Sequence, residues 1–349
     1  MSDSKGTISR RGFGRSIAAI GTAGAIGGFH IGKAWAQGRR KVVFLFDVSP
    51  YGKHALFYPA LENGYFKDAG LDVQFESGKG SSDVALKVAA GAAEFGFADA
   101  PTTMLARSNG AKLKQVMMVH YKAMNNVLTL PTKAVRKPKD MEGMKLGATA
   151  GDAPRIALPA FAKINGFDAS KVEIITIESS AKPAMLMSKQ VDGVLSLAAY
   201  TPVMAVAAKR MGQEIVEMLY SDYGLDIYSN GIIARDESLA KDADMVRGFV
   251  QAMVRSCIFA VEKPAEAHAM FMKQNQAANP EIARAQLDVA IKHLMVDEVV
   301  QNGVGPMSDK KMAFTLDIVR EYFGPKAPVA LADIYSNAFV KAGQKAVRT

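Results

Sequence analysis

The chain has 349 residues, 49% of them apolar and 22% charged, a balance that argues against disorder and suits one large core or two modest ones. Lys and Arg number 43 against 34 acids, a net charge of +9, yet no basic run or basic–aromatic stripe concentrates it, so no nucleic-acid partner is expected. The single cysteine, Cys257, excludes an internal disulfide, and its place in the helical apolar stripe Phe249, Val250, Met253, Val254, Cys257, Ile258, Val261 predicts core packing.

Residues 1–36 read as a twin-arginine signal peptide. Ser9-Arg10-Arg11-Gly12-Phe13-Gly14 precedes a Gly-rich apolar run over 17–31, and Ala34-Trp35-Ala36 offers small residues for cleavage. The run is too short for a bilayer span, so no stable membrane insertion is expected. No cysteine follows Ala36 to carry a lipid. Cleavage there removes Lys5, Arg10, Arg11, Arg15, Lys33 and Asp3, leaving 38 basic against 33 acidic residues and a net charge of +5. The expected compartment is the periplasm.

From residue 41 to about 220, short apolar runs alternate with helical stretches, the pattern of a parallel sheet covered by helices. Strands are predicted over 42–46, 71–75, 94–98 and 115–119, with helices over 55–69, 82–90 and 102–109. After a charged loop over 133–139 the series restarts with strands over 145–148, 172–177, 193–197 and 214–219. Two extended stretches, 124–130 and 225–234, carry the chain between the series and back, and are read as hinge crossings. Beyond Asp236 the chain is helical over 243–262, 264–274, 281–295, 309–322 and 330–342, with Asp309 read as a cap. The expected fold is therefore α/β in two lobes, each a mostly parallel sheet flanked by helices, with a helical C-terminal region. Lobe 1 is discontinuous, 37–126 and 230–349; lobe 2 is 127–229.

Ligands of open α/β sheets bind beyond the carboxyl ends of the strands, where helix N-termini point into a crevice. Polar residues cluster at those ends. Of them, Ser49, Tyr51, His54, Ser81, Ser82, Asp99, Thr102 and His120 in the first series, and Asp152, Arg155, Ser179 and Tyr200 in the second, are the candidate ligand-binding residues. Pro101, Pro154, Pro183 and Pro202 suit first helical turns. Taken singly, Ser81, Ser82 and Asp152 also fit ordinary helix caps. Tyr51, Tyr121 and Tyr200 could stack on an aromatic ring, and Arg155 suits an anion if it faces the crevice.

Gly78-Lys79-Gly80-Ser81-Ser82 lacks the spacing of a phosphate loop. No histidine or cysteine spacing suits a metal, and no nucleophile elbow or Cys/His pair suggests catalysis. No catalytic residue, cofactor or metal is expected.

The chain resembles the thiamine-precursor, sulfonate, nitrate and taurine group of periplasmic solute-binding proteins. The resemblance rests on Gly64-Tyr65-Phe66 followed by Gly70-Leu71-Asp72-Val73, on Gly78-Lys79-Gly80-Ser81-Ser82, on Ala90-Gly91-Ala92-Ala93-Glu94-Phe95-Gly96, and on Val191-Asp192-Gly193. It covers roughly 41–337. It implies the two-lobed type 2 periplasmic binding protein fold, closing by hinge motion on a small molecule for an ABC importer's permease and ATPase, as a monomer and without chemistry on the ligand. The residues themselves lean to a small organic anion such as a sulfonate, carboxylate or nitrate, with a thiamine-precursor-like pyrimidine or other heterocycle as the alternative. A fungal thiamine-pyrimidine synthase is similar in fold, but its cysteine-rich motif is absent here.

Overall fold

A computed structural model describes residues 38–341 and 343–345. The expected signal peptide lies outside the described residues. In chain order, β1 (Arg40–Phe46) leads through a 3₁₀ turn (Gly52–Leu56), α1 (Tyr58–Glu62) and α2 (Tyr65–Asp68) to β2 (Leu71–Ser77). Then come α3 (Ser81–Ala89), β3 (Phe95–Asp99), α4 (Ala100–Ser108) and β4 (Leu113–Met118). The chain crosses as β5 (Asn125–Thr129) and builds β6 (Lys145–Ala148), α5 (Ala153–Ile156), α6 (Leu158–Asn165), β7 (Glu173–Thr176), α7 (Lys182–Met187), β8 (Gly193–Leu197), α8 (Thr201–Lys209) and β9 (Val216–Leu219). It returns as β10 (Asn230–Arg235).

Two five-stranded sheets result, ordered β2-β1-β3-β10-β4 and β7-β6-β8-β5-β9. The arrangement is the same in both: each keeps four strands of its own series and takes, antiparallel between its third and fourth, the strand formed where the chain passes from one series to the other. The eight strands of the two series lie where the alternating pattern puts them. The two extended stretches become β5 and β10. Because these two run antiparallel to their neighbours, their first residues, Asn125 and Asn230, lie at the carboxyl ends of the others.

The 55–69 stretch is not one helix. Pro59 sits at the start of α1, and Gly64 takes a left-handed φ of 75° that ends one turn and opens α2. Gly52 is required by close approach, since a Cβ there would lie 2.0 Å from the carbonyl oxygen of Ala283.

The helical region comprises α9 (Asp236–Lys241), α10 (Ala243–Glu262), α11 (Pro264–Gln274), α12 (Pro280–Leu294), α13 (Asp297–Asn302), α14 (Asp309–Tyr322) and α15 (Leu331–Ile334). The helix expected over 330–342 shrinks to four residues, because Tyr335 leaves it to bridge Gln115 at the edge of β4. The cap of α14 is Ser308 rather than Asp309.

Phe249 of α10 stacks on Phe95 (3.9 Å between centroids) and Phe66 (5.3 Å), joining the helices to the first sheet. Cys257 is fully buried on the same helix, and burial holds its thiol well above its usual range. In the second sheet's core Phe161 stacks on Tyr220 at 4.0 Å. Two C-terminal helices touch both halves: α12 packs on the 3₁₀ turn and on α8, and α14 packs on α4 and α6.

Candidate functional site

The carboxyl ends of the two sheets face one cavity of about 450 Å³, within the range of small-molecule sites. The first sheet contributes Asp47 after β1, Lys79 to Ser82 after β2, Asp99 and Thr102 at the start of α4, and Ser229 and Asn230 entering β10. The second contributes Ala123 and Asn125 entering β5, Ala150 to Ala153 after β6, and Leu197 ending β8. Phe323, just past α14, closes one side.

Charge in the cavity is mostly neutralised by the protein itself. Asp47 is 7% exposed and bonds to the buried Lys53 ammonium, to His54 Nε2 at 2.8 Å and to Asn230 Nδ2 at 3.2 Å. Burial disfavours its charge, but the Lys53 cation and the His54 hydrogen bond outweigh that and hold the carboxyl well below its usual range. Burial likewise works against the Lys53 cation, yet Asp47 keeps it firmly protonated. His54 is pushed down by burial. Its Nδ1 accepts the Tyr51 N–H at 3.1 Å, so Nε2 carries the proton donated to Asp47.

Across the cavity Asp152 accepts from the buried Lys182 ammonium at 2.6 Å and from the Thr149 N–H at 3.3 Å. Asp99 accepts the Thr102 N–H at 2.9 Å, occupying the positive end of α4 with its own carboxylate. Lys79 is the single basic residue among those lining the cavity, against three acids. The walls are apolar: Val48, Ile156 and Leu197, each more than a third exposed, converge here with Leu105 and Phe323.

Five of the twelve candidate residues line this cavity: Ser81, Ser82, Asp99, Thr102 and Asp152. The Ser81 hydroxyl accepts the Asp99 N–H at 3.1 Å, linking α3 to α4. The other seven stand elsewhere. His54 and His120 are fully buried, His54 beneath Asp47 and His120 against Phe97 at 5.4 Å between centroids. Tyr51 packs beside Met124 and Leu219 between the two halves, and Ser49 is exposed. Arg155 turns away, donating to Thr176 at 2.9 Å on β7. Ser179 bonds Thr149 Oγ1 at 3.1 Å, and its carbonyl accepts the Tyr200 hydroxyl at 3.4 Å. Tyr121, read as a stacking ring, is a core residue whose hydroxyl accepts the Gly305 N–H at 2.7 Å.

Asp47, Lys79, Asn125, Asn230 and Phe323 also line the cavity and were not among the candidate residues. The antiparallel sense of the returning strand was the signal for Asn230. Phe323 carried no local signal. Among the described residues no group of three or more His, Cys, Asp or Glu converges as a metal site, and no helix is long and apolar enough to cross a membrane.

The chain is similar to several known proteins. The formylaminopyrimidine-binding protein of Halalkalibacterium halodurans is 24% identical over 76% of this chain and 79% of its own length. The 4-amino-5-hydroxymethyl-2-methylpyrimidine phosphate synthase of Schizosaccharomyces pombe is 22% identical over 71% of this chain and 73% of its own. Among solved structures, the periplasmic aliphatic sulphonate binding protein SsuA of Escherichia coli superposes with a TM-score of 0.65 at 11% identity, over 81% of this chain and 92% of that one, a likeness of fold alone. The fold is that of the periplasmic binding proteins. A family profile described as NMT1/THI5 like matches residues 52–267, and the chain belongs to that family.

Proposed function

We propose that this protein captures a small, amino-bearing heterocycle of pyrimidine size in the crevice and delivers it to the permease and ATPase of an ABC importer. The observation that carries the reading is the cavity lining: apolar walls, three carboxylates able to accept amino hydrogens, and no guanidinium, since Arg155 faces β7. The pyrimidine named for the Halalkalibacterium relative supports the same ligand class.

A small organic anion is the second reading, favoured by Lys79 and the first-turn amides of α3, but the positive end of α4 is already taken by Asp99. The protein binds without catalysis. The synthase relative keeps an enzyme in view, yet the sole thiol here is buried and far above its usual range, unsuited to nucleophilic chemistry. Export by the twin-arginine route, with cleavage after Ala36, delivers the chain to the periplasm. There the 37–126 and 230–349 lobe closes on the 127–229 lobe about the two crossings, and the protein acts as a monomer.

A thermal-shift panel of 4-aminopyrimidines, alkanesulfonates, carboxylates and nitrate tests the ligand class. A ligand at 100 times its Kd stabilises by about 2.7 kcal/mol. Shifts with aminopyrimidines alone support the proposal; shifts with sulfonates or nitrate alone replace it with the anion reading. Mass spectrometry of the exported protein should give Gln37 as its first residue.

A further inference from the structure

Asn125 and Asn230 occupy matching places in the two halves, each opening the antiparallel strand of its sheet at the cavity. Their side chains differ in what they hold. Asn230 is saturated: its amide donates to Asp47 at 3.2 Å and its carbonyl accepts the Ser229 hydroxyl at 3.1 Å. Asn125 is 6% exposed, and neither its amide nor its side-chain carbonyl has a hydrogen-bond partner within the protein. The alternation of β5 shows where it points. Asn126 turns to the opposite face, bonded to Thr201 and Glu217, whereas Ala123 and Asn125 line the cavity.

The Asn125 amide atoms are not sealed in the core but open onto the cavity, where a ligand can meet both functions at once. A planar amide presents one donor and one acceptor side by side, complementary to a ring nitrogen next to an exocyclic amino group, or to a ring N–H next to a carbonyl. We propose that Asn125 is the specificity-determining residue of the crevice and selects heterocycles with such an adjacent donor–acceptor edge. The inference rests on the heterocycle reading above. It goes further in naming the ring edge that is read and the residue that reads it.

The test measures affinities of the mature protein and its Asn125→Ala and Asn125→Asp variants for 4-amino-2-methylpyrimidine and for 2-methylpyrimidine, which lacks the amino group. The wild type should prefer the amino compound by about tenfold or more, and Asn125→Ala should erase the preference. Asn125→Asp, nearly isosteric, provides a second readout if the alanine variant does not fold. Its carboxylate only accepts, so the 4-amino ring must bring a proton on its ring nitrogen, and affinity should rise from pH 8 to pH 6 in this variant and not in the wild type. A preference that survives in Asn125→Ala, or an Asn125→Asp affinity with the wild type's pH profile, overturns the role of Asn125 while leaving the heterocycle reading standing. A wild type that binds neither pyrimidine removes both.

Discussion

Replacing Lys53 with Met tests whether the cavity floor is organised by the buried cation. Lys53 is 3% exposed, its ammonium bonds Asp47, and its side chain lies near the rings of Tyr51 and Phe97, at 5.1 and 5.3 Å from their centroids. Met keeps most of that volume while removing the charge, leaving the Asp47 carboxylate with the neutral donors His54, Asn230 and the Val48 N–H. Breaking a buried pair by removing one partner costs about 3–5 kcal/mol. At roughly 2 °C per kcal/mol for a chain of this size, the transition should fall by roughly 6–10 °C. The effect carries a pH signature. In the wild type the Asp47 carboxyl lies below its unfolded value, so its stabilising contribution is present above the ordinary carboxylate range and fades only as pH drops through the folded value. Without Lys53, burial acts on Asp47 with less opposition and its pKa rises. The penalty then holds at neutral pH and is relieved on acidification, so the gap to wild type should narrow from pH 7 to pH 5. Denaturant unfolding of Lys53→Met, Asp47→Asn and the double variant measures this, and the double variant should recover more than half of the loss. A cost below about 1 kcal/mol for Lys53→Met, or a double variant no more stable than it, would refute the coupling.

Three further outcomes follow from other parts of the molecule. Gly52→Ala drives a Cβ into the Ala283 carbonyl and should cost about 1–3 kcal/mol in denaturant unfolding, whereas Gly110→Ala, with open space around it but a φ of 98°, should cost only its backbone strain. Arg155→Ala should leave heterocycle affinity within about twofold by calorimetry and stability within about 0.5 kcal/mol, since its guanidinium serves Thr176 rather than the cavity. Burial pushes His293 down to about 4 and His120 well below its ordinary range, so both stay neutral in the fold while the unfolded chain takes up protons near 6.5. Each then costs stability as pH falls below that value, by about 1.4 kcal/mol per unit, and unfolding midpoints compared at pH 7 and pH 5 should show it.

Much of this protein was legible before any coordinates. Short apolar runs marked the eight strands of the two series, and the run is nearly continuous where a strand is covered on both faces, as in Val42, Val43, Phe44, Leu45 and Phe46. The long amphipathic helices α10, α11 and α14 began and ended where the sequence placed them, since their apolar stripes, prolines and breakers act locally. Short-range signals failed where a distant partner decided the outcome. The 330–342 stretch carries helical periodicity, but Tyr335 gains a bridge to β4 instead. Only the tertiary structure turned Arg155 toward Thr176, sealed His54 and His120 beneath the crevice, and brought Phe323 from the end of α14 to its rim. Strand ends can be read from one segment at a time, and so the loops around the site were found. Which side chain of a loop faces the cavity depends on partners brought in from distant parts of the chain, such as Lys182 for Asp152 and Asn230 for Asp47, and no local pattern carries that information.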